Sequence, residues 1–251
     1  MSKFSERLLN AKGRAAPAAR NDKPAAPAGI PRAERGPRIP LSFAQRRLWF
    51  LDRMEPGLAI YNVPVFVRLR GPLDERALRV SLDAIMRRHE SLRTSFALAD
   101  DEPVQRITPE LPLELTVVDV SALPEAVREQ RLRELANAES SKPFTLAQAP
   151  LVRATLLRAG PEDHVLLLTM HHIVSDGWSM SVFFLELGAY YGAQRLGLEP
   201  GLKPLPIQYA DFALWQNERM RGEVREEQLA YWKKQLAGAP PVLELPTDRP
   251  R

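Results

Sequence analysis

Two of the chain's four histidines stand side by side in Met170-His171-His172-Ile173-Val174-Ser175-Asp176-Gly177-Trp178-Ser179, at the end of the apolar run Val165 to Met170. From the composition of this chain, HHxxxDG arises by chance with a probability on the order of 10⁻⁴. An imidazole titrates near neutrality, so it can take a proton from an attacking nucleophile or hydrogen-bond a developing charge. Metal binding is the competing chemistry. Successive strand side chains point to opposite faces, so His171 and His172 cannot both aim at one ion without a kink. The chain also has no cysteine to complete a thiolate site, and no metal is expected. A single ring facing a cavity, with the acid Asp176 a little further on, suits proton handling better. Asp176 also stands where a helix should begin, near Gly177 or Trp178, and capping that helix accounts for it equally well. Gly177 reads as a turn residue that needs positive φ.

These residues need a scaffold, and the pattern of apolar residues supplies one. Order is expected to begin near Leu41. Ser42 with Gln45 forms a capping-box pattern, followed by Ala44, Leu48 and Leu51 on one helical face. Glu55-Pro56-Gly57 ends that helix. Val63, Val65, Val67 and Leu69 alternate as in a strand, and Gly71-Pro72 turns the chain. Asp74 caps a helix with the stripe Leu78, Leu82, Ile85 and Met86. Strands are expected at 94–99, 104–108, 113–120, 151–158 and 164–171, and helices at 124–140, 178–196, 208–221 and 223–237. Mixed strands and helices with hairpin-length turns point to an α+β sandwich, a mixed sheet flanked by helices. Trp49, Trp215 and Trp232 fall in helical patterns and read as core. His164 sits at a turn and is expected to be exposed. Helix-end packing or capping accounts for His89 and Glu90.

Composition narrows the class. The chain has 251 residues, 45% of them hydrophobic, and no cysteine, which excludes a disulfide framework, an iron–sulfur cluster and a thiol nucleophile. It reads as cytoplasmic, with no signal peptide and no apolar run long enough to cross a bilayer. The formal net charge is +4, but residues 1–40 carry nine basic groups against three acids, so the remainder sums to −2. A nearly neutral globular part argues against nucleic acid as a partner. Residues 1–39 read as a disordered leader rich in Ala, Pro and Arg, with 40–251 as the folded unit. A short amphipathic stretch at 2–10 (Phe4, Leu8, Leu9) is either a frayed terminus or a docking helix for another polypeptide.

The motif at 171–177 resembles the HHxxxDG signature of condensation domains from nonribosomal peptide synthetases, within the chloramphenicol-acetyltransferase-like superfamily. Ser42-Phe43-Ala44-Gln45-Arg46-Arg47-Leu48-Trp49 resembles the family's opening motif, and Arg88-His89-Glu90-Ser91-Leu92-Arg93-Thr94-Ser95-Phe96 its second. Tyr209-Ala210-Asp211-Phe212-Ala213-Leu214-Trp215 resembles the motif after the active-site helix. Pro143-Phe144 and Pro150-Leu151-Val152-Arg153 fit as well. The likeness runs from about Pro40 to the end.

That resemblance implies amide formation between acyl, peptidyl or aminoacyl thioesters carried on the 4'-phosphopantetheine arms of partner carrier proteins, with no cofactor bound by the chain itself. His172 would accept or position the amine proton, or stabilise the tetrahedral intermediate. His171 and Gly177 would shape the site. Asp176 would be structural, paired with Arg88 or Arg93, a bidentate contact that would fix the loop; solvated arginines are the plainer alternative. Ser175 and Trp178 give SDGWS, which resembles the subtype taking an L-configured donor, and are the expected substrate contacts.

A complete domain of this family has two lobes around a tunnel and about twice this length. The chain is therefore expected to be the N-terminal lobe with trailing helices, lacking the second lobe, either a gene fragment or half of a split enzyme. Alone it should be weakly active or inactive, because a half-tunnel positions substrates poorly. The alternatives are an acyl-CoA-dependent HHxxxDG acyltransferase, an epimerisation domain and a non-catalytic carrier-protein-binding module.

Overall fold

The computed structural model describes residues 29–242 and Pro246. The expected helix at 2–10 lies outside the described residues. The first helix, α1 (Phe43–Met54), is capped by Ser42, whose side chain accepts from the Gln45 N–H while Gln45 reaches back to the Ser42 backbone. Gln45, not Ala44, lies on the buried side. Asp74 likewise caps α2 (Glu75–Arg88), which buries Leu78, Leu82, Ile85 and Met86. A short 3-10 turn at Glu90–Arg93 follows.

Four strands form the main sheet: β2 (Asn62–Arg70), β5 (Leu115–Asp119), β6 (Val152–Gly160) and β7 (Asp163–His171). Their order is β2-β7-β6-β5, with β5 and β6 parallel and the other pairs antiparallel. A separate antiparallel sheet has the order β1-β4-β3, from Ile39–Pro40, Glu102–Ile107 and Thr94–Ala99. Among the described residues, three further helices follow α3 (Glu125–Ser141): α4 (Gly177–Leu196), α5 (Tyr209–Arg219) and α6 (Gly222–Gln235).

The parity of β7 explains the layering. Leu166, Leu168 and Met170 face a core shared with α2 and α4, whereas Val165 and Leu167 face a second core under α3. A strand covered on both faces needs apolar residues at nearly every position, which is why this run does not alternate. Each fully buried leucine there contributes about 2 kcal/mol relative to an exposed one. Among the described residues, no helix is long and apolar enough to cross a membrane.

Three expectations need correction. His164 is buried at 4% exposure, because β7 begins at Asp163 and sets it between Leu69 and Arg158 of the neighbouring strands. Trp232 is 55% exposed, since α6 buries no residue. The leader does not extend to residue 39. Ile39 and Pro40 pair with Gln105 and Val104, and the Ala33 N–H and the Arg35 side chain bond to Asp211, so the attached chain starts well before Leu41.

Candidate active site

Strand β7 ends at His171, and His172 opens the turn that leads into α4. The two histidines meet different surroundings. His171 is 2% exposed and packs near the rings of Tyr61 and Phe144, with centroids 6.2 Å away in both cases. Its Nδ1 accepts the Ile173 N–H at 3.1 Å. Burial, reinforced by the neighbouring His172, lowers its pKa to about 4. His171 is thus a neutral packing group near physiological pH.

His172 is exposed. Its backbone N–H donates to the Tyr61 carbonyl at 2.8 Å, tying the loop to the start of β2. Its Nδ1 lies 2.7 Å from the Ser175 carbonyl oxygen. A carbonyl has no proton to give, so Nδ1 must carry the hydrogen. In the neutral ring this leaves the lone pair on Nε2, which has no hydrogen-bond partner among the described residues. The Ser175 carbonyl therefore selects the tautomer in which Nε2 can receive a proton.

Asp176 caps α4. Its carboxylate accepts from the Ser179 N–H at 2.8 Å and the Ser179 hydroxyl at 2.6 Å, and these bonds hold its pKa below the usual carboxylate range. The expected ion pair with Arg88 or Arg93 does not form. Arg88 instead donates from Nε to Glu186 at 2.9 Å and from a terminal nitrogen to the Lys203 carbonyl at 2.7 Å. Arg93, 6% exposed, bonds to the carbonyls of Met86, Thr108, Pro109 and Arg87. Both arginines are consumed by carbonyls of loops and of the α2 end and by a buried acid. Gly177 is the first residue of α4, without positive φ, and a Cβ there would meet nothing within 4 Å. Neither positive φ nor crowding requires glycine at this position.

Beside this loop lies a cleft of about 680 Å³. Ser175 and Trp178 line it, with Val182 and Phe183 of α4, Leu92 of the 3-10 turn and Ile207 before α5. Ser175 is 7% exposed and Trp178 81%. His172 is not among the lining residues; it stands outside the cleft and is joined to its wall through Ser175. Two contributors were missed from sequence. His89 lines the cleft and lies 2.6 Å from Glu186, a residue only 6% exposed. Glu186 is an acid within an otherwise apolar helical stretch, and that oddity was the available signal.

The sheet thus leads into a loop with one exposed imidazole, its Nδ1 held by the Ser175 carbonyl and its Nε2 able to take a proton, while Ser175 of the same loop lines an apolar cleft. The profile of the condensation-domain family matches residues 37–251, and the chain belongs to that family. It is 52% identical to one of the linear gramicidin synthase polypeptides of Brevibacillus parabrevis over 217 residues, covering 86% of this chain and 3% of that one. It is 46% identical to the phosphinothricin tripeptide synthetase PhsC of Streptomyces viridochromogenes over 213 residues, 85% of this chain and 20% of that protein. Among solved structures, the X-domain from teicoplanin biosynthesis, in its complex with OxyB, is 35% identical with a TM-score of 0.76, covering 88% of this chain and 48% of that chain. The first condensation domain of the CDA synthetase shares the fold, with a TM-score of 0.73 at 23% identity. The chain thus spans a small part of its curated relatives and about half of the solved chains. The expected chloramphenicol-acetyltransferase-like α/β sandwich agrees with these structures.

Proposed function

We propose that this chain forms the His172-bearing side of an amide-forming condensation site that acts on carrier-bound thioesters in the cytoplasm. The observation that carries the reading is the 2.7 Å contact from His172 Nδ1 to the Ser175 carbonyl, because it leaves Nε2 as the free acceptor. The amine of an aminoacyl thioester attacks the carbonyl carbon of the upstream thioester. A C–N bond forms, and the excess amine proton moves to Nε2 or is held there by a hydrogen bond. The tetrahedral intermediate then expels the thiolate, the C–S bond breaks, and the proton passes to sulfur. Nothing is consumed beyond the two thioesters.

Phosphopantetheine arms of partner carrier proteins would deliver both thioesters, and a second lobe would supply the wall opposite His172. Ser175 and Trp178 would meet the substrate, and His171 and Gly177 would shape the loop. Exposure of His172 supports the need for that second wall, since an imidazole in bulk water gains little from positioning or electrostatic preorganisation. Two-lobed enzyme carrying His172→Ala tests the catalytic assignment. Product formation should fall about 10²-fold or more, and unchanged turnover would remove the assignment. Purified chain alone, supplied with loaded carriers, should form little dipeptide; vigorous formation would refute the half-site reading.

A non-catalytic binding module is a second reading, favoured by the likeness to an X-domain solved in complex with OxyB. Amide shifts on titration with loaded carrier protein, without turnover in the two-lobed enzyme, would select it.

A further inference from the structure

The segment 29–36 lies before the region matched by the family profile, yet it is fastened to the functional side of the molecule. Its fastening is the Arg35 guanidinium together with the Ala33 N–H. Arg35 donates to Glu90 at 2.5 Å and, through Nε and a second terminal nitrogen, to one oxygen of Asp211 at 3.3 and 3.2 Å. The Ala33 N–H joins the same oxygen at 3.3 Å. Asp211 is fully buried at the first turn of α5, and its other oxygen accepts the Gln208 N–H at 2.7 Å. Burial alone would raise the Asp211 pKa, but these donors outweigh it and hold the carboxyl below its ordinary value. Gln208 in turn bonds to the Glu90 N–H and the Arg88 carbonyl. One ionic knot thus gathers the end of α2, the 3-10 turn, α5 and the incoming chain.

Five residues before Arg35, Ile30 lines the 680 Å³ cleft together with Ile207 and Phe212. No helix or strand holds Ile30 in place; the first strand pairing of this segment comes only at Ile39. The hydrogen bonds nearest to it are those of Ala33 and Arg35 in the knot. We propose that residues 29–35 form a latched wall of the cleft, with Arg35 as the latch and Ile30 as the residue that limits how far an apolar acyl or aminoacyl group can enter. The identity of the ligand rests on the thioester reading above; the latch does not. Ile30 and Arg35 are positioning and specificity residues and touch no reacting atom.

Because the chain has no cysteine, Ile30→Cys places a single reporter thiol on the wall. Its alkylation rate by iodoacetamide, measured on the full chain, reports exposure without any ligand. Adding Arg35→Ala removes charge-assisted hydrogen bonds and should speed alkylation about tenfold or more. Arg35→Lys, a point charge that cannot fork to both acids, should fall between. Amide exchange in β6 and β7 shows whether each variant keeps its fold, and the lysine variant serves if the alanine variant does not. Equal alkylation rates with and without the latch, in folded protein, would overturn the proposal.

The amide isostere of octanoyl-pantetheine, whose nitrogen cannot exchange with the thiol, then separates the two readings. Protection of the reporter thiol in the latched protein supports both. Latch-dependent alkylation without protection upholds the wall and sinks the thioester reading of the cleft. Ile30→Trp should weaken the octanoyl probe about tenfold, as expected if about two methylenes are excluded, and leave an acetyl probe unchanged. Equal effects on both probes would also overturn the wall.

Discussion

Acidification should destabilise this chain through His171, the buried histidine of the pair, and the size of the effect follows from its surroundings. In the folded protein its pKa is pushed down to about 4, against 6.5 for the free side chain. Above about pH 6.5 the ring is neutral in both folded and unfolded chains and contributes no pH dependence. Between about 6.5 and 4 the unfolded chain binds a proton that the native packing between Tyr61 and Phe144 refuses. Stability therefore falls as pH falls through this window, and the His171 contribution levels off below about 4, where both states are protonated. A window of about 2.5 pH units, at about 1.4 kcal/mol per unit, corresponds to a loss of about 3 kcal/mol.

Other groups also change charge on acidification, so the isolating measurement is a difference. Urea unfolding of wild type and His171→Phe at about pH 7.5, 6.5, 5.5 and 4.5 supplies it. Phenylalanine keeps an aromatic ring against Tyr61 and Phe144 but cannot protonate. It orphans the Ile173 N–H, which costs about 1–3 kcal/mol at every pH without changing the slope. The stability gap between the two proteins should close by about 3 kcal/mol as pH drops to the bottom of the window. Parallel curves would show that the native fold admits the protonated ring and would refute the burial argument.

Other consequences follow from named contacts. Asp176→Ala removes the cap of α4 and should cost about 1 kcal/mol in unfolding free energy, most of it restored by Asp176→Asn. Arg93→Met leaves the Met86, Arg87, Thr108 and Pro109 carbonyls without their donor, and chemical denaturation should show a loss of about 3 kcal/mol or more. His172→Ala, on an exposed side chain, should change stability by less than about 0.5 kcal/mol, although turnover of the two-lobed enzyme collapses. Glu186→Gln weakens the hold on Arg88 and His89, and amide exchange at the α2 end should rise while β6 and β7 stay protected.

Local chemistry made most of the scaffold readable. Ser42 with Gln45, Asp74 and Asp176 each mark a helix start because their side chains satisfy backbone donors within three residues. His171 closes the strand and is buried, whereas His172 lies in the turn beyond it and is exposed, a boundary that the apolar run alone does not mark. What escaped was every pairing across the fold. Glu186 meets Arg88 and His89 from nearly a hundred residues away, and Arg35 meets Asp211 from still further. Arg88 and Arg93 looked like partners for Asp176 because all three are charged and sit in neighbouring motifs, but helix-end carbonyls and a buried acid claimed them first. Ile30 lay in a stretch whose alanines and prolines carry no periodicity, so nothing in its neighbours' types revealed a cleft wall. His164 was misread because a turn one residue further off moved it inside the strand.

Helix α4 is capped at its start and tied to another element half-way along. Asp176 is fastened at its first turn and Glu186 half-way along, about 15 Å apart at 1.5 Å per residue. Adding or deleting one residue between them would swing Glu186 roughly 100° around the axis and away from Arg88 and His89. Substitution should therefore be free at outward positions such as Ser181 and Leu185, while the count of residues from 176 to 186 stays invariant among working descendants of this chain. The helix behaves as a gauge block, holding the distance between the histidine loop and the end of α2, where Glu186 meets Arg88 and His89.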